Sequence, residues 1–296
     1  MATRRRRSRD TRTNGTYCCA VVENLVAPQL AKFVARHFGA LGSEWLAGLP
    51  ERIERYRVEW ELEIASFLPG GLMSCCLAVT TTEGQAAVLK LAGPWTPARP
   101  EVRALKVWNG GPAPRLLRAD AIGDAFLLER IAPGQSLASA GPDQIRHLGR
   151  LVRCLHDVGV SEETARLLPR LADVVESRIA TAGAEAAARS RDEAHMLAPR
   201  LERARRLARK LLSSREGNVT LLHGDLENRN ILHCSVRGLV AIDPLPCVGD
   251  AAYDAGYWLG NIDRDERDEA SVWLAEHLDL DHTRLLAWAA VATLEA

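Results

Sequence analysis

His223-Gly224-Asp225-Leu226-Glu227-Asn228-Arg229-Asn230-Ile231-Leu232, followed by Ile242-Asp243-Pro244, is the stretch on which the reading of this chain turns. Asp225 stands five residues before Asn230, and a second aspartate, Asp243, closes the apolar run Leu239-Val240-Ala241-Ile242 about a dozen residues later. One carboxylate can orient and deprotonate a hydroxyl, while an amide and a further carboxylate offer oxygen to a hard cation. Phosphoryl transfer needs that set. Alone, Asp225 would read as a turn aspartate. Asn230 and Asp243 make it the candidate catalytic residue and themselves the candidate metal ligands.

The order and spacing resemble the catalytic and metal-binding loops of the protein-kinase-like fold, with Ile-Asp-Pro where protein kinases carry Asp-Phe-Gly. Upstream in the chain, Lys90 lies near the end of the strand-like run Ala86-Ala87-Val88-Leu89-Lys90-Leu91. A lysine so placed can bind nucleotide phosphates, and Glu101, in the helix that Pro100 opens, is its natural partner. Glu101 can equally be a first-turn glutamate facing the helix dipole, and Lys90 an exposed strand-end lysine. Pro69-Gly70-Gly71-Leu72-Met73-Ser74 sits where a nucleotide-covering loop belongs. It lacks GxGxxG, so backbone amides and the Ser74 hydroxyl would have to reach the phosphates; a plain hairpin turn fits nearly as well. Glu129-Arg130-Ile131 is the expected hinge, with backbone groups of Glu129 and Ile131 for the adenine edge. No Walker A sequence is present, which removes P-loop kinases.

The chain has 296 residues, 47% of them hydrophobic and 26% charged, ordinary values for a globular protein. Its 38 basic and 38 acidic residues cancel, so nothing global recommends nucleic acid or an anionic membrane. Seven cysteines, an odd count without CxxC spacing, argue against both zinc and a secreted disulfide framework. The Arg4–Arg7 run reads as part of a disordered basic arm over residues 1–16, and the apolar run after it is too short for an export signal. A cytoplasmic protein is expected, a monomer or weak dimer.

Helical spacing covers about Pro28 to Leu49. Trp60, Leu62 and Ile64 alternate with Glu59, Glu61 and Glu63, which reads as a half-buried strand. Further strands are expected at Leu72–Thr82, Ala86–Leu91, Arg115–Leu117 and Ala125–Glu129, with the Glu101 helix between them. Residues 17–130 thus form a small nucleotide-binding lobe, an antiparallel five-stranded sheet with one helix. Residues 131–296 form a larger, mostly helical lobe carrying the catalytic loop, metal ligands and acceptor site. The fold class is α+β and bilobal. Helices are expected over Pro142–Val158 and Ser161 to about Ser213, the latter divided at Gly183. Asp250 and Asp254 suit structural roles, a helix cap and a brace for the catalytic loop.

The segments HGDLENRNIL, AIDPLPCVGDAAYDAGYWLGN, AVLKL, EVRALKVWNG and FLLERIAPGQSL occur in the order seen in bacterial antibiotic phosphotransferases. From about residue 40 onward the chain resembles the aminoglycoside/hydroxyurea phosphotransferase family, which includes streptomycin 6-kinases. The resemblance implies ATP- and Mg2+-dependent O-phosphorylation of a small, often cationic antibiotic. It matches Asp225 to the catalytic aspartate, Asn230 and Asp243 to the metal ligands, and Lys90 and Glu101 to the phosphate-binding pair. One departure stands out: the family usually reads HGDLH, and here Glu227 takes the last place. A negative charge near the γ-phosphate would repel it unless a metal or an arginine, Arg229 being nearest in sequence, offsets it.

Overall fold

The computed structural model describes residues 28–294, apart from 70, 72, 97, 138–141 and 215–218. The basic arm and the Cys18–Cys19 pair lie outside these residues, as do Gly70 and Leu72 of the expected nucleotide-covering loop. The described chain divides into two units, one from residues 28–96 with Arg118–Leu128, the other from residues 98–117 and 129–294.

The first unit opens with α1 (Pro28–Glu59), whose buried side carries Leu30, Val34, Trp45, Leu49, Ile53 and Tyr56. The helix kinks at Gly39, where φ 51 and ψ −128 suit only a residue without Cβ. Two polar tips fix its apolar face. The Trp45 indole donates to the Ala92 carbonyl at 3.1 Å, and the Tyr56 hydroxyl donates to the Asp120 carboxylate at 2.7 Å. Burial and that carboxylate push the Tyr56 phenol up to about 12.

The expected strand beginning at Trp60 is corrected here. The helical run reaches Glu59, the amides of Trp60 and Leu62 bond back to Tyr56 and Arg57, and Glu61 turns the chain with φ 53. The alternation of glutamates with apolar residues is that of a helix end, and β1 spans only Glu63–Phe67. It is followed by β2 (Ser74–Thr80), β3 (Ala86–Ala92), β4 (Leu116–Ala119) and β5 (Ala125–Glu129), in the spatial order β1-β2-β3-β5-β4. Antiparallel register sets Ser74 opposite Ala92 and Cys76 opposite Lys90. Burial raises the Cys75 thiol to about 12, and all five described cysteines are free thiols.

The second unit contains α2 (Ala98–Trp108), anchored by its last residue: the Trp108 indole donates to the Leu155 carbonyl at 3.0 Å and its ring lies near that of His223. Next come β6 (Pro133–Ser136), α3 (Pro142–His156), the short α4 (Glu162–Arg166), α5 (Leu171–Arg189) and α6 (Arg191–Ser213). The break between the last two is at Ser190, whose hydroxyl accepts from the Glu193 amide at 3.0 Å as an N-cap. Gly183, the expected divider, lies inside α5. A Cβ there would come within 3.1 Å of Leu201 Cδ1, so the glycine serves close helix packing and does not mark a chain break.

Two small sheets frame the catalytic segment. β7 (Val219–Leu222) pairs with β10 (Cys247–Asp250), and β8 (Ile231–Cys234) lies between β6 and β9 (Gly238–Ala241). The chain ends in α7 (Ala252–Gly260), α8 (Arg264–Leu278) and α9 (His282–Ala292). Leu171, Val175, Ile179, Leu222, Tyr253 and Trp288 share one apolar core. Within this unit Asp250 is a buried acceptor for Ala252 N–H, the Arg284 guanidinium at 2.6 Å and the Trp288 indole. It therefore joins the start of α7 to α9, a structural role as expected. No helix among the described residues is long and apolar enough to cross a membrane.

Candidate active site

The catalytic segment is shaped by a glycine and held by a buried aspartate. Gly224 has φ +78, and a Cβ on it would fall 2.0 Å from the Leu245 carbonyl oxygen, so no other residue fits between His223 and Asp225. Asp254, in the first turn of α7, is wholly buried. Its two oxygens accept from the His223 amide and the Gly224 amide, each at 2.8 Å, and His156 Nε2 lies 2.9 Å from the same carboxylate. Burial alone would raise its pKa; the His156 bond and charge, with His223 and the Gly224 amide, hold it below the ordinary value. The expected brace is present.

His223 is itself fully buried, and burial lowers its pKa, so the ring is neutral. Nε2 donates to the Ile242 carbonyl at 3.0 Å, leaving Nδ1 to accept from the Asp225 amide at 3.3 Å. The Leu245 amide returns to His223 O, and the Ile242 amide to Asn230 O. These bonds stitch the segment carrying Asp243 to the one carrying Asp225 and Asn230. Asp243 follows directly with φ 56, an unfavourable conformation for a non-glycine residue, and its side chain is exposed.

Both oxygens of Asp225 are oriented. Asn230, buried in a 3₁₀ turn over Asn228–Asn230, sends Nδ2 to Oδ2 at 2.8 Å and to the Asp225 carbonyl at 2.9 Å. Arg178, from the middle of α5, sends one guanidinium nitrogen to Oδ1 at 2.7 Å and to the Gly224 carbonyl at 2.8 Å. The Tyr257 hydroxyl donates to the same Oδ1 at 3.2 Å, and the Arg178 guanidinium lies over the Tyr257 ring, 4.3 Å from its centre. Burial pushes the Tyr257 phenol up to about 12, so it remains a donor through the neutral range. Sequence reasoning missed Arg178 and Tyr257. Arg178 lies 47 residues from Asp225, in a helix of ordinary Ala/Arg/Glu composition that gave no local signal.

Glu227, the departure from HGDLH, forms an ion pair with Arg229. Desolvation raises its pKa, Asp225 adds to the shift, and Arg229 opposes it. A carboxylate with a raised folded-state pKa withdraws stability as pH rises through that pKa. Glu227→Gln, which never ionises, is therefore expected to melt higher than the natural chain at pH 7–8, with the difference closing at acid pH; thermal melts across pH measure it.

Of the remaining sequence candidates, Lys90 and Ser74 are buried in the sheet of the first unit, the Lys90 ammonium 5.5 Å from the centre of the Phe126 ring. Glu101 is buried in α2 of the second unit, and Ile131 is buried just after β5. The Glu129 amide is committed to Arg115 O, and its carboxylate accepts from Arg115 N and pairs with Arg237 at 2.8 Å. The Glu129 side chain is thus occupied in holding its own segment.

Against this geometry, residues 59–296 match the model of the aminoglycoside/hydroxyurea antibiotic resistance kinases. The chain belongs to that family. Streptomycin 6-kinase of Streptomyces glaucescens is 31% identical over 88% of this chain and 85% of its own length. Hydroxyurea phosphotransferase of Kitasatospora aureofaciens is 31% identical over 79% of this chain and 67% of its own. Among solved structures, an ethanolamine kinase of Plasmodium vivax superposes with a TM-score of 0.62, covering 96% of this chain and 87% of that one at 15% identity. That likeness fixes the fold as protein-kinase-like. The chain is an antibiotic resistance kinase, a phosphotransferase acting on an alcohol group.

Proposed function

We propose that this kinase transfers the γ-phosphoryl group of ATP, with Mg2+, to a hydroxyl of a cationic antibiotic of the aminoglycoside type. Streptomycin is the first acceptor to test, and hydroxyurea the second, because relatives bearing those names match most of the chain. The observation that carries the reading is the Asp225 carboxylate, oriented on one oxygen by Arg178 and Tyr257 and on the other by Asn230.

In this reading Asp225 accepts a hydrogen bond from the acceptor hydroxyl and aims it at the γ-phosphorus. Its work is mainly positioning, because the transition state is loose and a strong base gains little. Once the P–O bond forms, the carboxylate takes the hydroxyl proton. Asn230 and Asp243 offer only oxygen donors to a cation, which is the chemistry magnesium takes. With its amide nitrogen committed to Asp225, Asn230 would present its side-chain oxygen, and Asp243 its exposed carboxylate. The bound ion would neutralise charge on the phosphates. Lys90 would bind the phosphate chain, and Ser74 would add a hydroxyl. The protein is placed in the cytoplasm, where ATP is available, and works as a monomer or weak dimer.

Arg178 is a positioning residue for Asp225. Its bond to a carboxylate belongs to the charge-assisted class, so Arg178→Ala is expected to lower kcat by about 10- to 100-fold with little change in the KM for ATP. Arg178→Lys should recover part of the loss. Acceptor-dependent ADP release, measured with streptomycin, other aminoglycosides and hydroxyurea, tests the reading as a whole. Stimulation by one of these classes supports it, and ADP release indifferent to all of them rejects it.

A further inference from the structure

Away from the catalytic segment, α3 and α8 enclose a cleft of about 460 Å³ lined by Arg146, Gly149, Arg150, Arg153, Trp273 and His277. All six residues belong to the second unit, and none takes part in the hydrogen bonds around Asp225. The three arginines stand at i, i+4 and i+7 on one helix face, spanning about 10 Å at 1.5 Å per residue. Like charges at that spacing repel one another. Elsewhere the chain relieves such helical charges with carboxylates one turn away, as in Arg55–Glu59, Arg166–Glu162 and Arg206–Glu202. Among the described residues no carboxylate lines the cleft, and none of the three arginines has an ion-pair partner.

The floor is built as well. A Cβ on Gly149 would fall 2.5 Å from the Trp273 ring, so the glycine lets the indole lie against the α3 backbone between the arginines. His277 stacks on Trp273 with ring centres 3.7 Å apart, and its Nδ1 is held by the Trp273 carbonyl at 2.9 Å. The second ring nitrogen is thereby the one left to a ligand. The lining side chains thus bring three guanidinium forks, donors all, and an imidazole nitrogen.

We propose that this cleft is a second binding site, separate from the kinase centre, for a condensed phosphate chain, as in tripolyphosphate or a nucleoside polyphosphate. Three guanidinium forks spread over about 10 Å of helix can meet more of the oxygens of a chain of two or three phosphoryl groups than of a single phosphate.

Calorimetric titration of the full chain with inorganic tripolyphosphate, pyrophosphate and orthophosphate tests this. Tripolyphosphate is expected to bind an equivalent that the Arg146→Ala/Arg150→Ala/Arg153→Ala variant loses by at least tenfold in affinity. The matching triple lysine variant should fall between, since ammonium groups lack the guanidinium fork, and it guards against misfolding of the alanine variant. The proposal is overturned if the alanine variant, shown folded by its melt, binds tripolyphosphate as the natural chain does, or if orthophosphate binds as tightly. Titration with ATP separates the sources. A second ATP equivalent, lost in the alanine variant, assigns a nucleotide; loss confined to tripolyphosphate assigns the free chain; and no arginine-dependent binding of either sinks the site.

Discussion

Asp225→Asn is expected to lower kcat for acceptor phosphorylation by about 10²- to 10⁴-fold while leaving the KM for ATP nearly unchanged. The substitution keeps the size of the side chain. The amide oxygen can still accept from Arg178 and Tyr257, and Asn230 Nδ2 keeps its bond to the backbone carbonyl of residue 225, so the Asn230 oxygen stays where it was. What is lost is the negative charge and the capacity to take the hydroxyl proton. A melt close to that of the natural chain, together with collapsed kcat, would assign the loss to chemistry. A comparable fall in ATP affinity would instead place Asp225 among the nucleotide contacts and undo its assigned role.

The second large effect is expected at Asp254, which never touches a substrate in this account. Asp254→Ala strips the partner from two buried backbone amides, those of His223 and Gly224, and from His156. Breaking a buried charged network by removing one member costs about 3–5 kcal/mol, enough to lower the urea midpoint substantially. The surviving folded fraction should be nearly inactive, because the turn that presents Asp225 loses both of its anchors. The pH dependence has a definite sign. The folded-state pKa of Asp254 lies below 3.8, so its stabilisation is present above that value and is lost as pH falls through the folded pKa. The natural chain should therefore lose stability more steeply in acid than Asp254→Asn, which carries no titrating group there. Equal acid slopes would show that the carboxylate is not held ionised.

Much of the candidate site was legible because its members lie close together in the chain. Asp225, Asn230 and Asp243 sit within one loop-strand-loop segment, and a Gly-Asp pair followed by Asp254 marked a brace that the hydrogen bonds bear out. Arg178 and Tyr257 were not legible. Their meeting with Asp225 depends on how α5 and α7 pack, and neither helix carries a pattern that names its neighbour. The same limit governs the fold. The core strands β2, β3 and β5 stand near where apolar runs place them, but the alternation at Trp60 belonged to a helix end, since a period of two over a few residues does not exclude a final helical turn. β6 and β10 were unexpected: they contain Pro133-Gly134 and Gly249, residues that disfavour strands, and each is set by its partner. Gly183 was misread for the opposite reason: a glycine inside a helix can mark close approach of another helix as readily as an end.

Mass spectrometry of streptomycin after incubation with the protein, ATP and Mg2+ shows whether the proposed transfer occurs. The antibiotic is expected to gain a single phosphoryl group, at a rate that falls with Asp225→Asn. Streptomycin recovered unmodified, alongside ATP turnover or tight ATP binding by the same preparation, would contradict streptomycin as the acceptor.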